Sequence, residues 1–211
     1  MNFSYPISLN VANKKCTVIG GGIIAERKVK TLLSCQAIVE VISPEVTEEI
    51  SLLSSQGKIT WRKATYDSEF IKKSFLVIAA TNNRKVNKSI ANDCHQYNIL
   101  VNVVDSPEDS NFIVNAFFRQ GDLTLSVSTN GKSPALARKI KDDLKKIYGP
   151  EYGILLDILG EVRLLAPKKI SSQTMRKNFF QDIIDSDILE MIRAGYIDEA
   201  RERVKQCLLS Y

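Results

Sequence analysis

The sequence predicts an α/β protein: a parallel sheet with interleaved helices, then a small α+β segment, then a helical C-terminal part. Three observations carry this. Short apolar runs alternate with helix-patterned stretches from residue 1 to about 112. The run Phe75–Ala80 (F-L-V-I-A-A) is almost wholly apolar, the mark of a strand buried on both faces. Beyond Gly149-Pro150 the apolar residues keep a helical period.

The elements follow in order. Cys16–Gly20 is the first expected strand, and a helix follows from Ile23 to about Ser34. Ala37–Ile42 is the second strand, closed by Ser43-Pro44. Pro44 suits the first position of the next helix, which reads to about Ser54. Gly57 breaks it, and Ile59–Trp61 resumes a strand. After Phe75–Ala80, residues 85 to 97 read as a helix, and Ile99–Val104 as a strand ending at Asp105. Such alternation implies right-handed βαβ units. Asn111–Arg119 and Leu123–Thr129 are strands joined across Gln120-Gly121-Asp122, hence a hairpin. Ser133 as N-cap and Pro134 at the first position start a helix. Its apolar face is Leu136, Ile140, Leu144 and Ile147. In the last part Ile154, Leu155, Ile158, Leu159 and Val162 share one helical face. The expected parts are 1–112, 113–150 and 151–211.

Composition narrows the class. The chain has 211 residues, 44% hydrophobic and 25% charged, enough for a sizeable core without disulfide or metal staples. A net charge of +5 permits nucleic acid, but it suits a small anionic ligand or a plain solvated surface equally. Cys16, Cys35, Cys94 and Cys207 form no C-x-x-C pair, and His95 is the one histidine, so no metal site is expected. No basic start with a long apolar stretch opens the chain, and no apolar run approaches the roughly 20 residues of a membrane span. A cytoplasmic location is expected, with neither nucleic acid nor membrane as partner.

Gly20-Gly21-Gly22-Ile23-Ile24-Ala25 reads G-x-G-x-x-A, between a strand and a helix. Gly20 permits the tight turn, Gly22 leaves room for a pyrophosphate, and Ala25 lets the helix approach the sheet. The amides of Ile23 and Ile24 in the first turn face such phosphates. This is the fingerprint of a Rossmann-type dinucleotide site. The position that often holds an acidic residue for the ribose is Ser43, followed by Pro44. No Arg or Lys adjoins it in sequence, which favours NAD over NADP.

Thr81 follows the Phe75–Ala80 strand and is either a cofactor contact or an ordinary helix cap. Asp105 ends V-N-V-V-D. At a strand tip by the crevice it is a candidate base for dehydrogenation, which releases a hydride and a proton; taken alone it also suits a turn. Ser128 to Ser133 crowd hydroxyls, Gly131 and Lys132 before a helix start, with Arg138 on that helix. This is either an anion cradle or a hairpin end with a solvated helix face.

Four stretches resemble the precorrin-2 dehydrogenase / sirohydrochlorin ferrochelatase family: V-I-G-G-G-I-I-A-E-R-K (Val18–Lys28), V-I-A-A-T-N-N (Val77–Asn83), V-N-V-V-D (Val101–Asp105) and G-K-S-P-A-L-A-R-K-I (Gly131–Ile140). The resemblance implies an NAD-binding first part, a segment over about 113–150 that mediates a homodimer around a substrate cleft, and a helical domain. It implies conversion of precorrin-2 to sirohydrochlorin, in some members followed by ferrous iron insertion. It makes Asp105 the essential carboxylate and places Ser128 near the substrate. Lys132 and Arg138 are then candidates to hold the polyanionic substrate. Asn82-Asn83, Asn130 and Asn115 depart from the family's acidic pair, Gly and Pro at those positions, and the length leaves no room for the methyltransferase domain fused in some relatives. A non-catalytic NAD-sensing module would explain residues 1 to 105, but not the hairpin, Ser128 or the Ser133-Pro134 helix.

Overall fold

A computed structural model describes residues 4–211, which divide into two compact units, one ending at Val114 and the other running Asn115–Tyr211. In the first unit, β1 (Lys15–Ile19), β2 (Ile38–Ile42), β3 (Thr60–Arg62), β4 (Leu76–Ala79) and β5 (Leu100–Val103) form a parallel sheet in the order β3-β2-β1-β4-β5. The helices α1 (Ile23–Ser34), α2 (Glu48–Ser55) and α3 (Arg84–Gln96) connect the strands. The order reverses between β1 and β4, and ligands of such sheets bind outside the carboxyl ends of strands at that reversal. This is the predicted parallel α/β architecture.

Both faces of the sheet are covered. Val18, Val41 and Ile78 pack with Ala25 and Val29 of α1 on one side, and Ile19, Val77 and Val101 with Ile90 and Cys94 of α3 on the other. Burial pushes the Cys16 thiol up to about 11, with Cys35 adding to it, and the Cys94 thiol up to about 12, with Asp93 adding. Glu40, buried in β2, is paired with Lys15 at 2.7 Å and Arg62 at 3.2 Å, as a charge out of water must be.

Two boundaries differ from the sequence reading by more than two residues. The helix expected at Pro44 starts at Glu48, because Thr47 is its N-cap: the Thr47 hydroxyl accepts from Ile50 N at 3.4 Å, and Glu48 and Glu49 suit the positive helix end. The strand expected from Asn111 starts at Ala116. Asn111 instead completes the free edge of β5, its Oδ1 accepting from Val101 N at 2.8 Å and its Nδ2 donating to the Ile99 carbonyl at 3.1 Å. A side-chain amide carries the same donor and acceptor as a peptide, so it replaces a strand neighbour there.

In the second unit, β6 (Ala116–Gln120) and β7 (Leu123–Val127) form the predicted antiparallel hairpin. Helix α4 (Pro134–Ile147) begins at the Ser133 N-cap, whose hydroxyl accepts from Leu136 N at 3.2 Å. Helices α5 (Glu151–Lys169), α6 (Gln173–Asp185), α7 (Ile188–Arg193) and α8 (Ile197–Ser210) enclose a core of Leu155, Ile158, Val162, Phe179, Ile183, Ile192 and Val204. Among the described residues, no helix is long and apolar enough to cross a membrane.

Candidate functional site

The glycine turn sits where β1 meets α1, and each of its three glycines meets a different surrounding. Gly20 has φ +120°, and a Cβ there would lie 2.3 Å from the Ala80 carbonyl oxygen, so the turn packs directly on the end of β4. A Cβ on Gly21 would lie 1.9 Å from the Glu45 carbonyl oxygen and 2.8 Å from Ser43 Oγ. A Cβ on Gly22 would meet nothing within 4 Å. Gly22 is the N-cap of α1, and no side chain caps that helix start. Its first-turn amides lack intrahelical partners by geometry. Ile23 and Ile24 beside them are 73% and 42% exposed. Open backbone, free amides and the positive helix end are what a dinucleotide's phosphates require, so these residues fit such a group. The nearby Glu26 carboxyl is held below its usual range chiefly by the Lys30 ammonium, at 2.9 Å, with Thr47 assisting.

Ser43 follows β2 and is buried; its hydroxyl donates to the Glu45 carbonyl at 2.6 Å. A ribose hydroxyl there could only donate to it. Pro44 is exposed in the bend that follows. Arg62, whose carbonyl accepts from Ser43 N at 3.2 Å, turns its guanidinium onto Glu40 and over the Phe70 ring at 4.7 Å.

Thr81, two residues past the end of β4, is not the cap of α3. Asn83 is, with Oδ1 accepting from Lys85 N at 3.0 Å and Val86 N at 3.3 Å. Thr81 is held instead by Asn87 of α3, whose Oδ1 accepts from the Thr81 hydroxyl at 2.6 Å and whose Nδ2 donates to the Thr81 carbonyl at 3.1 Å. The same Nδ2 reaches Asp105 Oδ1 at 3.4 Å. Asp105 lies in an exposed turn beyond β5 rather than on the strand itself. Ser106 and Ser110 brace that turn: Ser106 Oγ donates to Asp109 at 2.7 Å, and Ser110 Oγ accepts from Val103 N at 2.8 Å. A cleft of about 180 Å³ opens beside it, lined by Asp105, Asn87, Arg84, Lys88, Glu108 and Asp109 among others. Arg84 also helps hold the Glu108 carboxyl below its usual range, after hydrogen bonds from its own backbone and Ser106.

Gly20, Thr81 and Asp105 are therefore linked around the carboxyl ends of β1, β4 and β5, with Gly22 two residues on from Gly20 at the start of α1. Ser128, Lys132 and Arg138 belong to the second unit. Ser128 Oγ accepts from Asn130 N at 3.2 Å, Lys132 N donates to the Thr129 carbonyl at 3.0 Å, and all three residues are exposed. Sequence reasoning missed Asn87, Arg84 and Lys88. The available signal was a lone Asn in line with the apolar residues Ile90, Ala91 and Cys94 of the same helix.

A family model described as "Putative NAD(P)-binding" matches residues 7–116, one described as "Sirohaem biosynthesis protein central" matches 120–147, and one described as "Sirohaem synthase dimerisation region" matches 151–208. The chain belongs to the NAD(P)-binding family, and its three matched parts are those of the N-terminal region of siroheme synthases. Its glycine turn, Thr81, Asn87 and Asp105 all fall in the NAD(P)-binding part. The chain is 32% identical over 205 residues to a siroheme synthase of Psychrobacter sp. (strain PRwf-1), covering 97% of this chain and 42% of that protein. With the siroheme synthase of Nitrosococcus oceani it shares 32% over 203 residues, 96% of this chain and 43% of the relative. The chain thus spans less than half the length of these siroheme synthases. Among solved structures it is similar to "SirC, precorrin-2 dehydrogenase", with a TM-score of 0.79 and 28% identity over 99% of this chain and 100% of that one.

Proposed function

We propose that this chain uses NAD to dehydrogenate precorrin-2 to sirohydrochlorin. The observation that carries the reading is the chain of contacts from the glycine turn through Thr81 and Asn87 to Asp105, which puts a carboxylate beside a dinucleotide crevice. The likeness to the SirC dehydrogenase over the whole of both chains supports it. Residues 1–112 are read as the coenzyme-binding part, 113–150 as a cleft segment that shares the dimer contact, and 151–211 as a helical domain that carries the rest of it, in keeping with the dimerisation-region model matched over 151–208.

Bound at the start of α1, NAD supplies a hydride acceptor. The protein must supply the rest. Gly22 and the amides of Ile23 and Ile24 hold the diphosphate, with Gly20 setting the turn. Ser43, Pro44 and Thr81 line the remainder of the coenzyme site. Asp105 takes the proton that leaves as the new double bond forms; with Oδ1 bonded to Asn87, Oδ2 is the oxygen that receives it. Arg84 and Lys88 flank Asp105 and attract the substrate's carboxylates. Ser128, Lys132 and Arg138 are candidate substrate contacts on the second unit. NAD is preferred over NADP because Arg62, whose backbone adjoins Ser43, has its guanidinium taken up by Glu40 and Phe70, leaving little to neutralise a 2′-phosphate. The test is direct: protein, NAD and precorrin-2 are mixed, and the absorption of the lengthening conjugation is followed. A protein that binds NAD yet leaves the spectrum unchanged would discard the reading.

We further read the protein as a cytoplasmic homodimer. Leu136, Ile140 and Ile147 of α4 remain exposed, the last at 58%, although they form the helix's apolar stripe. Sedimentation should give twice the chain mass for the native protein. The Leu136→Asp/Ile147→Asp variant should sediment as a monomer; a persistent dimer would move the interface elsewhere.

A further inference from the structure

We propose that Asn87 is a positioning residue, whose side-chain amide locks the proton acceptor Asp105 to the coenzyme contact Thr81. The inference rests on the reading above that Asp105 takes the substrate proton.

Asn87 is 2% exposed, on a face of α3 otherwise made of Ile90, Ala91 and Cys94. A polar side chain in such a place is costly unless its groups are bonded. Here they are. Oδ1 accepts from the Thr81 hydroxyl at 2.6 Å and from Thr81 N at 3.3 Å. Nδ2 donates to the Thr81 carbonyl at 3.1 Å and to Asp105 Oδ1 at 3.4 Å. The amide has no freedom to flip. A backbone N–H can only donate, so the atom facing Thr81 N must be the oxygen, and the nitrogen must then face Asp105.

Asp105 lies in an exposed turn, where a short carboxylate would otherwise sample several rotamers. A donated N–H selects one of them, with Oδ1 held and Oδ2 left as the oxygen that receives the proton. The 3.4 Å contact is long, as hydrogen bonds at such sites are before substrate closes them. Because one amide grips the ends of both β4 and β5, it sets the spacing between the coenzyme and the proton acceptor. Misplacement of about 1 Å at that spacing costs roughly a hundredfold in rate.

Two variants test this. Asn87→Asp keeps the shape and the acceptor for the Thr81 hydroxyl but turns an oxygen toward the Thr81 carbonyl and Asp105; Asn87→Ala removes every bond. In both, kcat for precorrin-2 should fall about ten- to a hundredfold. In the Asp variant KM for the tetrapyrrole should stay within about twofold. Should Asn87→Asp fail to fold, the alanine variant carries the test: added to Asp105→Asn it should cause no further loss of kcat, because its effect runs through that carboxylate. A spectroscopic readout is independent of turnover. In protein carrying ¹³C-carboxyl aspartate, the Asp105 resonance, assigned by its absence in Asp105→Asn, should move in Asn87→Ala. If native protein oxidises no tetrapyrrole, the functional reading fails and the resonance alone decides the role of Asn87. Unchanged kcat in the variants, an equal loss in the Asp105→Asn background, or a resonance that stays in place overturns the proposal.

Discussion

Asp105→Asn should lower kcat for precorrin-2 by about 10²–10⁴-fold, the usual contribution of a positioned general base. The Kd for NAD should stay within about twofold. The substitution keeps the shape of the side chain, and its oxygen still accepts from Asn87 Nδ2. The change removes the charge and basicity that receive the substrate proton. Folding should be indifferent, because the exposed turn is braced by Ser106 and Ser110 rather than by the carboxylate. Stopped-flow or steady-state absorbance measures the rate, and isothermal titration the coenzyme affinity. A variant with native kcat removes Asp105 from the chemistry and leaves the coenzyme site untouched.

The second large effect separates the three glycines of one turn. Gly22→Val should leave the fold nearly as stable as before and weaken NAD binding by about a hundredfold or more, close to 2.7 kcal/mol. Gly22 has φ −83° and ψ −176°, an extended conformation that a branched residue adopts readily, and space lies open around its Cβ position. The added side chain therefore stands where a diphosphate must approach the backbone. Gly21→Ala should do the reverse and attack the fold. Its methyl would lie 1.9 Å from a backbone carbonyl oxygen of the loop after β2, a contact that no rotamer relieves. Overpacking of this kind costs about 3 kcal/mol, a fall in Tm of roughly 10 °C for a chain this size. Melting curves and NAD titrations on the two variants, measured side by side, check the contrast. Native NAD affinity in Gly22→Val would move the phosphate site away from α1.

Much of this site could be read residue by residue. Cys16–Gly20 has an apolar run ended by glycine, and the four-residue β4 has only apolar side chains, so each declares a buried parallel strand through its own composition. Gly20 was identifiable because its tight turn needs a left-handed φ, and Gly22 because a pyrophosphate needs bare backbone to approach. The role of Gly21 was not: it depends on the Glu45 carbonyl, which the bend after β2 brings across the turn. Asn87 escaped notice for a similar reason. In one dimension it is a polar interruption of a helix, and only the pairing of β4 with β5 puts Thr81 and Asp105 within reach of a single amide. The α2 boundary was legible in Thr47-Glu48-Glu49, but Pro44 offered a competing start, and local preference alone does not rank two such signals.

Patterns set by neighbours along the chain, the strand–helix alternation and the glycine turn, are determined by the sequence alone, because hydrophobic period and φ preference act within a few residues. The tertiary structure alone decided which strand ends meet: the β3-β2-β1-β4-β5 order gathers Gly20, Thr81 and Asp105, which are far apart in the chain. It also decided the orientation of the Asp105 carboxylate, since that depends on a hydrogen bond from a residue 18 positions away. Long-range contacts of this kind leave no periodic trace in sequence, because they are set by the packing of elements rather than by the residues within any one of them.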